Sequence, residues 1–151
     1  MTVTLVLPVR KMRPEAMLPK RGTPTSAGLD LTVIGPTNPQ RNYVLTNPVK
    51  PTFLQTGIAV AIPKGYFGLL CLRSSMSKVG IYMPHGVGII DNDYRGEIMV
   101  PVLSTSQHGA NINVGSRVAQ LILLPQRDVA MFEVEELEDT DRGNGGFGST
   151  T

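Results

Sequence analysis

Cysteine, histidine and long apolar runs are all scarce in this chain, and each scarcity removes a class of function. The single cysteine, Cys71, cannot close an internal disulfide. Set in the run Gly68-Leu-Leu-Cys-Leu72, it reads as a buried structural thiol rather than a nucleophile. A chain without disulfides suits a reducing compartment, so a cytoplasmic location is expected. The two histidines, His85 and His108, stand far apart, and no Cys or His pair has the spacing of a metal cage. His108 is given no role. Any metal would be a hard cation carried mainly by a ligand's phosphates and by water, the usual behaviour of Mg²⁺. Apolar runs such as 69–72 and 121–124 are too short to span a bilayer as helices. The apolar start, Met1 to Pro8, carries its charges after the run and is broken by a proline, so a secretory signal is not expected.

What is present is the composition of one globular domain: 151 residues, 41% apolar and 17% charged. The net charge of +2 hides an asymmetry, because residues 131–141 hold six of the twelve acids. Up to Ala130, thirteen Lys or Arg face six acids. Such a body suits a polyanionic ligand, and it equally describes an ordinary solvated surface.

Sixteen glycines and twelve prolines punctuate the chain at short intervals. Between them lie strand-like runs at 3–9, 29–34, 56–62, 67–72, 97–103 and 117–124, with turn signals such as Pro63-Lys64-Gly65 and Asn113-Val114-Gly115. Many short strands predict an all-β sandwich or barrel. Residues 76–79 could form one helical turn. The glycine-rich end from Gly143 reads as a mobile arm.

Four segments carry residue types that β-sandwich loops do not require. The last, Arg142-Gly-Asn-Gly-Gly-Phe-Gly-Ser-Thr-Thr151, offers backbone N–H groups that can approach an anion, an arginine fork and two hydroxyl donors. It lacks the lysine of a nucleotide P-loop. Phe147, alone among glycines, wants a flat apolar partner such as a base; the other reading is a plain tail. Arg73-Ser-Ser-Met-Ser77 delivers an arginine and three hydroxyls at a strand end, fit either to hold phosphate or to cap a short helix through Ser74 or Ser75. Gly86-Val-Gly-Ile-Ile-Asp-Asn-Asp-Tyr-Arg-Gly-Glu97 reads as a hairpin. Turn chemistry alone explains Asn92 and Asp93, whereas Asp91 ends a strand, where a carboxylate could orient water. In Gly115-Ser-Arg-Val-Ala-Gln-Leu-Ile122, Gln120 interrupts an apolar strand and needs a partner from the fold or from a ligand.

Taken with Thr25-Ser-Ala-Gly-Leu-Asp-Leu31, these segments make five blocks, and their order resembles that of the trimeric dUTP diphosphatase (dUTPase) family. The resemblance runs from about residue 18 to residue 150, and the strings GIIDNDYRGEI and RGNGGFGST are its most specific parts. It implies one domain, 1–151, with a jelly-roll-like β-sandwich or barrel and a C-terminal arm at 141–151. It also implies a homotrimer whose shared sites hydrolyse dUTP to dUMP and pyrophosphate with Mg²⁺, without nucleic-acid or membrane partners. On that resemblance the backbone of Gly88, Ile89 and Ile90 would pair with uracil, Tyr94 would press on the deoxyribose, and His85 and Met99 would line the pocket. Asp91 would aim the attacking water, and Ser74 would donate to the oxygen bridging the α- and β-phosphates. Arg73, Ser75, Gln120 and Arg142 would hold phosphates, Phe147 would cap the base, and Gly148, Ser149 and Thr150 would grip the γ-phosphate. Asp30 would reach the metal through water.

The sequence departs from the family pattern in places. His85 stands where many relatives carry Asn, and Ser75 where Gly is common. Pro101 interrupts the strand after the hairpin, so that strand is expected to bend or to lie at an edge. The related dCTP deaminases share the fold but lack the Tyr94-type residue.

Overall fold

The computed structural model describes residues 4–35 and 42–146. Its strands are β1 (Val9–Lys11), β2 (Lys20–Arg21), β3 (Leu29–Thr32), β4 (Tyr43–Leu45), β5 (Thr52–Leu54), β6 (Ile58–Val60), β7 (Tyr66–Leu72), β8 (Ile81–Tyr82), β9 (Gly88–Ile90), β10 (Val100–Ser104), β11 (Asn111–Asn113) and β12 (Arg117–Pro125). One 3₁₀ helix, Ser74–Val79, is the helical element among the described residues. The class is all-β, as the turn density predicts.

The strands form a five-stranded sheet in the order β2-β3-β12-β7-β9, a three-stranded sheet β5-β10-β8, and the pairs β1-β6 and β4-β11. All pairings are antiparallel. Among the described residues these sheets do not close into a barrel.

The spine is β12 on β7, matched from Ala119↔Leu72 to Pro125↔Tyr66. These are the two longest strands, and both are rich in branched or aromatic residues that pack well on a pleated surface. Because partners across a ladder share a face, the register sorts the side chains into rows. Leu29, Leu121, Leu70 and Gly88 form one row, and Leu121 and Leu70 are buried. The next row is Lys20, Asp30, Gln120 and Cys71, on the opposite face. Cys71 is therefore only half-buried rather than sunk in the core.

Leu31, Val33, Leu54, Ile58, Ile98, Val100, Val102, Val118 and Leu121 make the centre of the core. Each such side chain contributes about 1.5–3 kcal/mol on burial.

Two local expectations are revised. Pro101 sits in the middle strand of its sheet, not in an edge strand. However, β8 pairs only with Leu103 and Ser104, so at Pro101 the strand has a single neighbour, Phe53 on β5. The missing N–H faces a side without a partner strand. Among the described residues the first strand begins at Val9, paired with β6 from Val60 to Ile58, and residues 4–8 form no strand; the expected start at residue 3 lies outside the described residues.

Candidate active site

A cleft of about 430 Å³ opens beside β9. It brings together His85, Gly88, Ile89, Ile90, Asp91, Tyr94 and Met99, seven residues that the sequence points to. Phe53, Leu70, Val87, Glu97, Ile98 and Pro101, which the sequence does not assign to a site, complete its walls. β9 is the last strand of its sheet. It pairs with β7 on one side, and its other edge is available to a flat molecule with alternating donors and acceptors, as it would be to another strand.

The turn after β9 is held by one backbone bond and by the Arg95 side chain. Tyr94 N donates to Asp91 O at 3.2 Å, and Arg95 Nη1 donates to the carbonyls of Asn92 (2.7 Å) and Tyr94 (2.9 Å). Asp91 is exposed at the cleft, and among the described residues its carboxylate has no ion pair. The Tyr94 hydroxyl donates to Glu97 O at 3.0 Å. Its ring lies so close over Gly96 that a Cβ there would stand 2.5 Å from Tyr94 Cζ. Glu97 is itself fixed: Gly57 N donates to its Oε1 at 2.7 Å, and Arg13 Nη2 lies 3.4 Å from Oε2. At the other rim, His85 Nδ1 lies 2.6 Å from Val87 O.

A second cluster stands on the polar face of the large sheet. Asp30, 7% exposed, meets Arg73 Nε at 3.1 Å and Arg117 Nη1 at 2.9 Å, one through each carboxylate oxygen. Burial of that carboxylate is tolerable because both oxygens are paired. Gln120 lies opposite Asp30 on the neighbouring strand and leans over Gly28, where a Cβ would come 2.8 Å from Gln120 Cβ. Arg73 leads into the 3₁₀ helix as its N-cap, with no side-chain cap bond. The capping alternative for Ser74 and Ser75 therefore fails. Both are exposed, and the helix runs through Val79 rather than for a single turn from residue 76. Arg117 was missed by sequence reading, since only its distant partner Asp30 marks it out.

None of Arg73, Ser74, Ser75, Gln120 or Asp30 lines the β9 cleft. Residues 126–146 are almost entirely exposed and form no strand. There Arg142 Nε donates to Gly145 O at 2.9 Å. Phe147, Gly148, Ser149 and Thr150 lie outside the described residues. Among the described residues no group of three or more His, Cys, Asp or Glu could hold a metal ion, and no helix is long and apolar enough to cross a membrane.

The family model described as dUTPase matches residues 14–151. The chain is 41% identical over 134 residues to the deoxyuridine 5'-triphosphate nucleotidohydrolase of Finegoldia magna, covering 88% of this chain and 90% of that protein. It is 37% identical over 146 residues to the protein of that name from Escherichia phage T5, covering 96% and 98%. Among solved structures, the Staphylococcus bacteriophage 80alpha dUTPase with dUPNHPP superposes with a TM-score of 0.83 at 26% identity, covering 98% of this chain and 99% of that one. A dUTPase from phage phi11 of S. aureus, described with a structural Mg(II) ion, gives 0.75 at 25% identity, covering 89% and 100%.

Proposed function

We propose, on the premise that the chain belongs to the dUTPase family, that it hydrolyses dUTP to dUMP and pyrophosphate, with the β9 cleft as the nucleoside site. The observation that carries this reading is the cleft itself: an open strand edge, an unpaired carboxylate and a tyrosine ring around one apolar space. Uracil presents an acceptor–donor–acceptor edge, which the N–H and C=O groups of Gly88 to Ile90 can complement. Met99 and the apolar walls leave little room for a 5-methyl group. Tyr94, braced on Glu97 and Gly96, lies against the sugar and disfavours a 2′-hydroxyl.

Asp91 holds the attacking water by hydrogen bonding, in line with the α-phosphorus and opposite the α,β-bridging oxygen. Water oxygen bonds to phosphorus as the bridging P–O bond breaks. The water proton is lost by way of Asp91, and pyrophosphate departs. Ser74 donates to the bridging oxygen, where negative charge develops. Arg73, Ser75, Gln120 and Arg142 bind the phosphate chain. Phe147 covers the base, and Gly148, Ser149 and Thr150 hold the γ-phosphate.

The residues fit a metal only as an ion carried by the substrate. Asp30 spends both oxygens on arginines, so its reach towards Mg²⁺ runs through water. When bound, Mg²⁺ neutralises phosphate charge and fixes the conformation of the triphosphate. The reaction would limit uracil incorporation into DNA and supply dUMP for thymidylate synthesis.

A homotrimer with shared sites accounts for two features. The phosphate-binding side chains do not line the nucleoside cleft of their own chain. Met131, Phe132 and Leu137 are 92%, 83% and 86% exposed, more apolar surface than an isolated segment leaves in water without a partner. A pyrophosphate-release assay across dUTP, dTTP, dCTP and UTP tests the reading. Release should be fastest from dUTP by a wide margin; equal rates on dTTP or UTP would refute it.

A further inference from the structure

Of the chain's seven asparagines, Asn144 alone is followed by a glycine. Asn38 and Asn47 precede prolines, which have no amide N–H, and Asn42, Asn92, Asn111 and Asn113 precede residues that carry a Cβ. Asn144 is exposed, and its side-chain amide makes no hydrogen bond among the described residues. It stands in the second of two successive turns: Gly143 N donates to Thr140 O, and Gly145 N to Arg142 O, each at 2.9 Å. Asparagine is a labile residue, and here no Cβ on the following residue keeps the backbone nitrogen away from the amide carbon.

We infer that Asn144 is a self-modification site: its side chain cyclises onto Gly145 N, and Arg142 sets the pace. Hydroxide takes the proton of Gly145 N. That nitrogen bonds to Asn144 Cγ, and the side-chain nitrogen leaves as ammonia with a proton from water, closing a succinimide ring. Water then adds to either ring carbonyl, the bond from that carbonyl to the ring nitrogen breaks, and the nitrogen recovers a proton. The product is an aspartate or an isoaspartate at position 144. Water is consumed, ammonia is released, and nothing is oxidised or reduced.

The turn supplies the brake. Gly145 N does not attack while its proton is committed to Arg142 O, and Arg142 Nε grips the Gly145 carbonyl at 2.9 Å. Arg142 is exposed, so water competes for these bonds and the turn opens.

The product is an anion two residues from Arg142, and an isoaspartate adds one methylene to the main chain just before residues 147–150. Those residues and Arg142 are the groups proposed above for base and triphosphate, so this consequence rests on the dUTPase reading. A new negative charge repels the phosphates, and a lengthened backbone displaces the N–H donors that follow it. Conversion therefore retires the enzyme, and the arm limits the working life of each chain.

The test ages the full native chain in buffer at neutral and at mildly alkaline pH, beside Asn144→Gln and Arg142→Ala. Peptide mass mapping follows amide-to-acid conversion at every asparagine, and dUTP hydrolysis is measured in the same samples. In the native chain conversion should appear first at Asn144 and accelerate in alkali. Fully converted protein should lose about tenfold or more in kcat/KM, the scale of one charge-assisted phosphate contact. Asn144→Gln, whose longer side chain closes a ring far more slowly, should keep its initial activity. Arg142→Ala, read by mass alone, should convert severalfold faster than the native chain. An Asn144 amide that survives ageing would overturn the site, and equal rates in Arg142→Ala would overturn the brake. Full conversion with undiminished dUTP hydrolysis would overturn the consequence. Fresh protein that fails to cleave dUTP would refute the dUTPase reading, whereas the mass change at Asn144 reports on the site by itself.

Discussion

Arg73 is held in place by Asp30: the Nε–Oδ1 separation is 3.1 Å, and the carboxylate that makes this bond is 7% exposed. Arg117 takes the second oxygen at 2.9 Å, so one buried anion orients two cations at the mouth of the 3₁₀ helix. Asp30→Asn removes the charge while keeping the shape. It should cost about 1–3 kcal/mol of stability, discounted because both guanidinium groups reach solvent. It should also raise KM for dUTP more than it lowers kcat, since a loosened Arg73 weakens phosphate binding first. Urea unfolding and steady-state kinetics check the two parts; an unchanged KM would show that Arg73 does not depend on Asp30.

Gly96 is required by its neighbour rather than by its own backbone. A Cβ there would sit 2.5 Å from Tyr94 Cζ and 3.0 Å from Cε2, so Gly96→Ala must lift the ring off the chain and break the 3.0 Å bond to Glu97 O. The site is at the surface, so the stability change should stay within about 1 kcal/mol. The sugar contact is another matter. Turnover of UTP relative to dUTP should rise severalfold, and an unchanged ratio would remove Tyr94 from sugar discrimination.

Asp91 is exposed and free of ion pairs among the described residues, so replacing it disturbs little else. Asp91→Asn should bind dUTP nearly as tightly as the native chain while losing about 10²- to 10⁴-fold in kcat, the usual worth of a positioned acid–base group. Calorimetric binding beside single-turnover kinetics distinguishes the two effects. Undiminished turnover would assign the water to another residue.

The parts of the fold legible in the sequence are those whose patterns are long and apolar. The runs expected at 67–72 and 117–124 fall on β7 and β12 to within a residue at either end, because seven or more residues of branched and aromatic side chains have few other uses. Short strands leave no such trace. Asn111-Ile-Asn113 has a single apolar residue and is a strand because β4 lies beside it. Lys20-Arg21 likewise owes its state to β3. In the cleft, His85, Gly88 to Asp91, Tyr94 and Met99 were legible, all within one short stretch of chain. Phe53 and Pro101 entered it only through cross-strand pairing of β5 with β10, and Arg117 joined Asp30 across 87 residues. Tertiary pairing of this kind has no local signature.

The arm offers the sharpest separation of assembly from chemistry. Val129, Met131, Phe132 and Leu137, 75–92% exposed, all precede residue 142, whereas the glycines, Arg142 and the final hydroxyls follow Asp141. Apolar burial between copies would use the first stretch, and phosphate contacts the second. Each residue whose backbone becomes fixed on substrate costs on the order of 1–2 kcal/mol in entropy, which arginine and backbone N–H contacts to the triphosphate must exceed. Deletion of residues 142–151 should therefore abolish dUTP hydrolysis and leave the proposed homotrimer intact by light scattering. Truncated chains that dissociate would mean that assembly also uses the arm's end, and truncated trimers that still hydrolyse dUTP would show that closure by the arm is not part of the reaction.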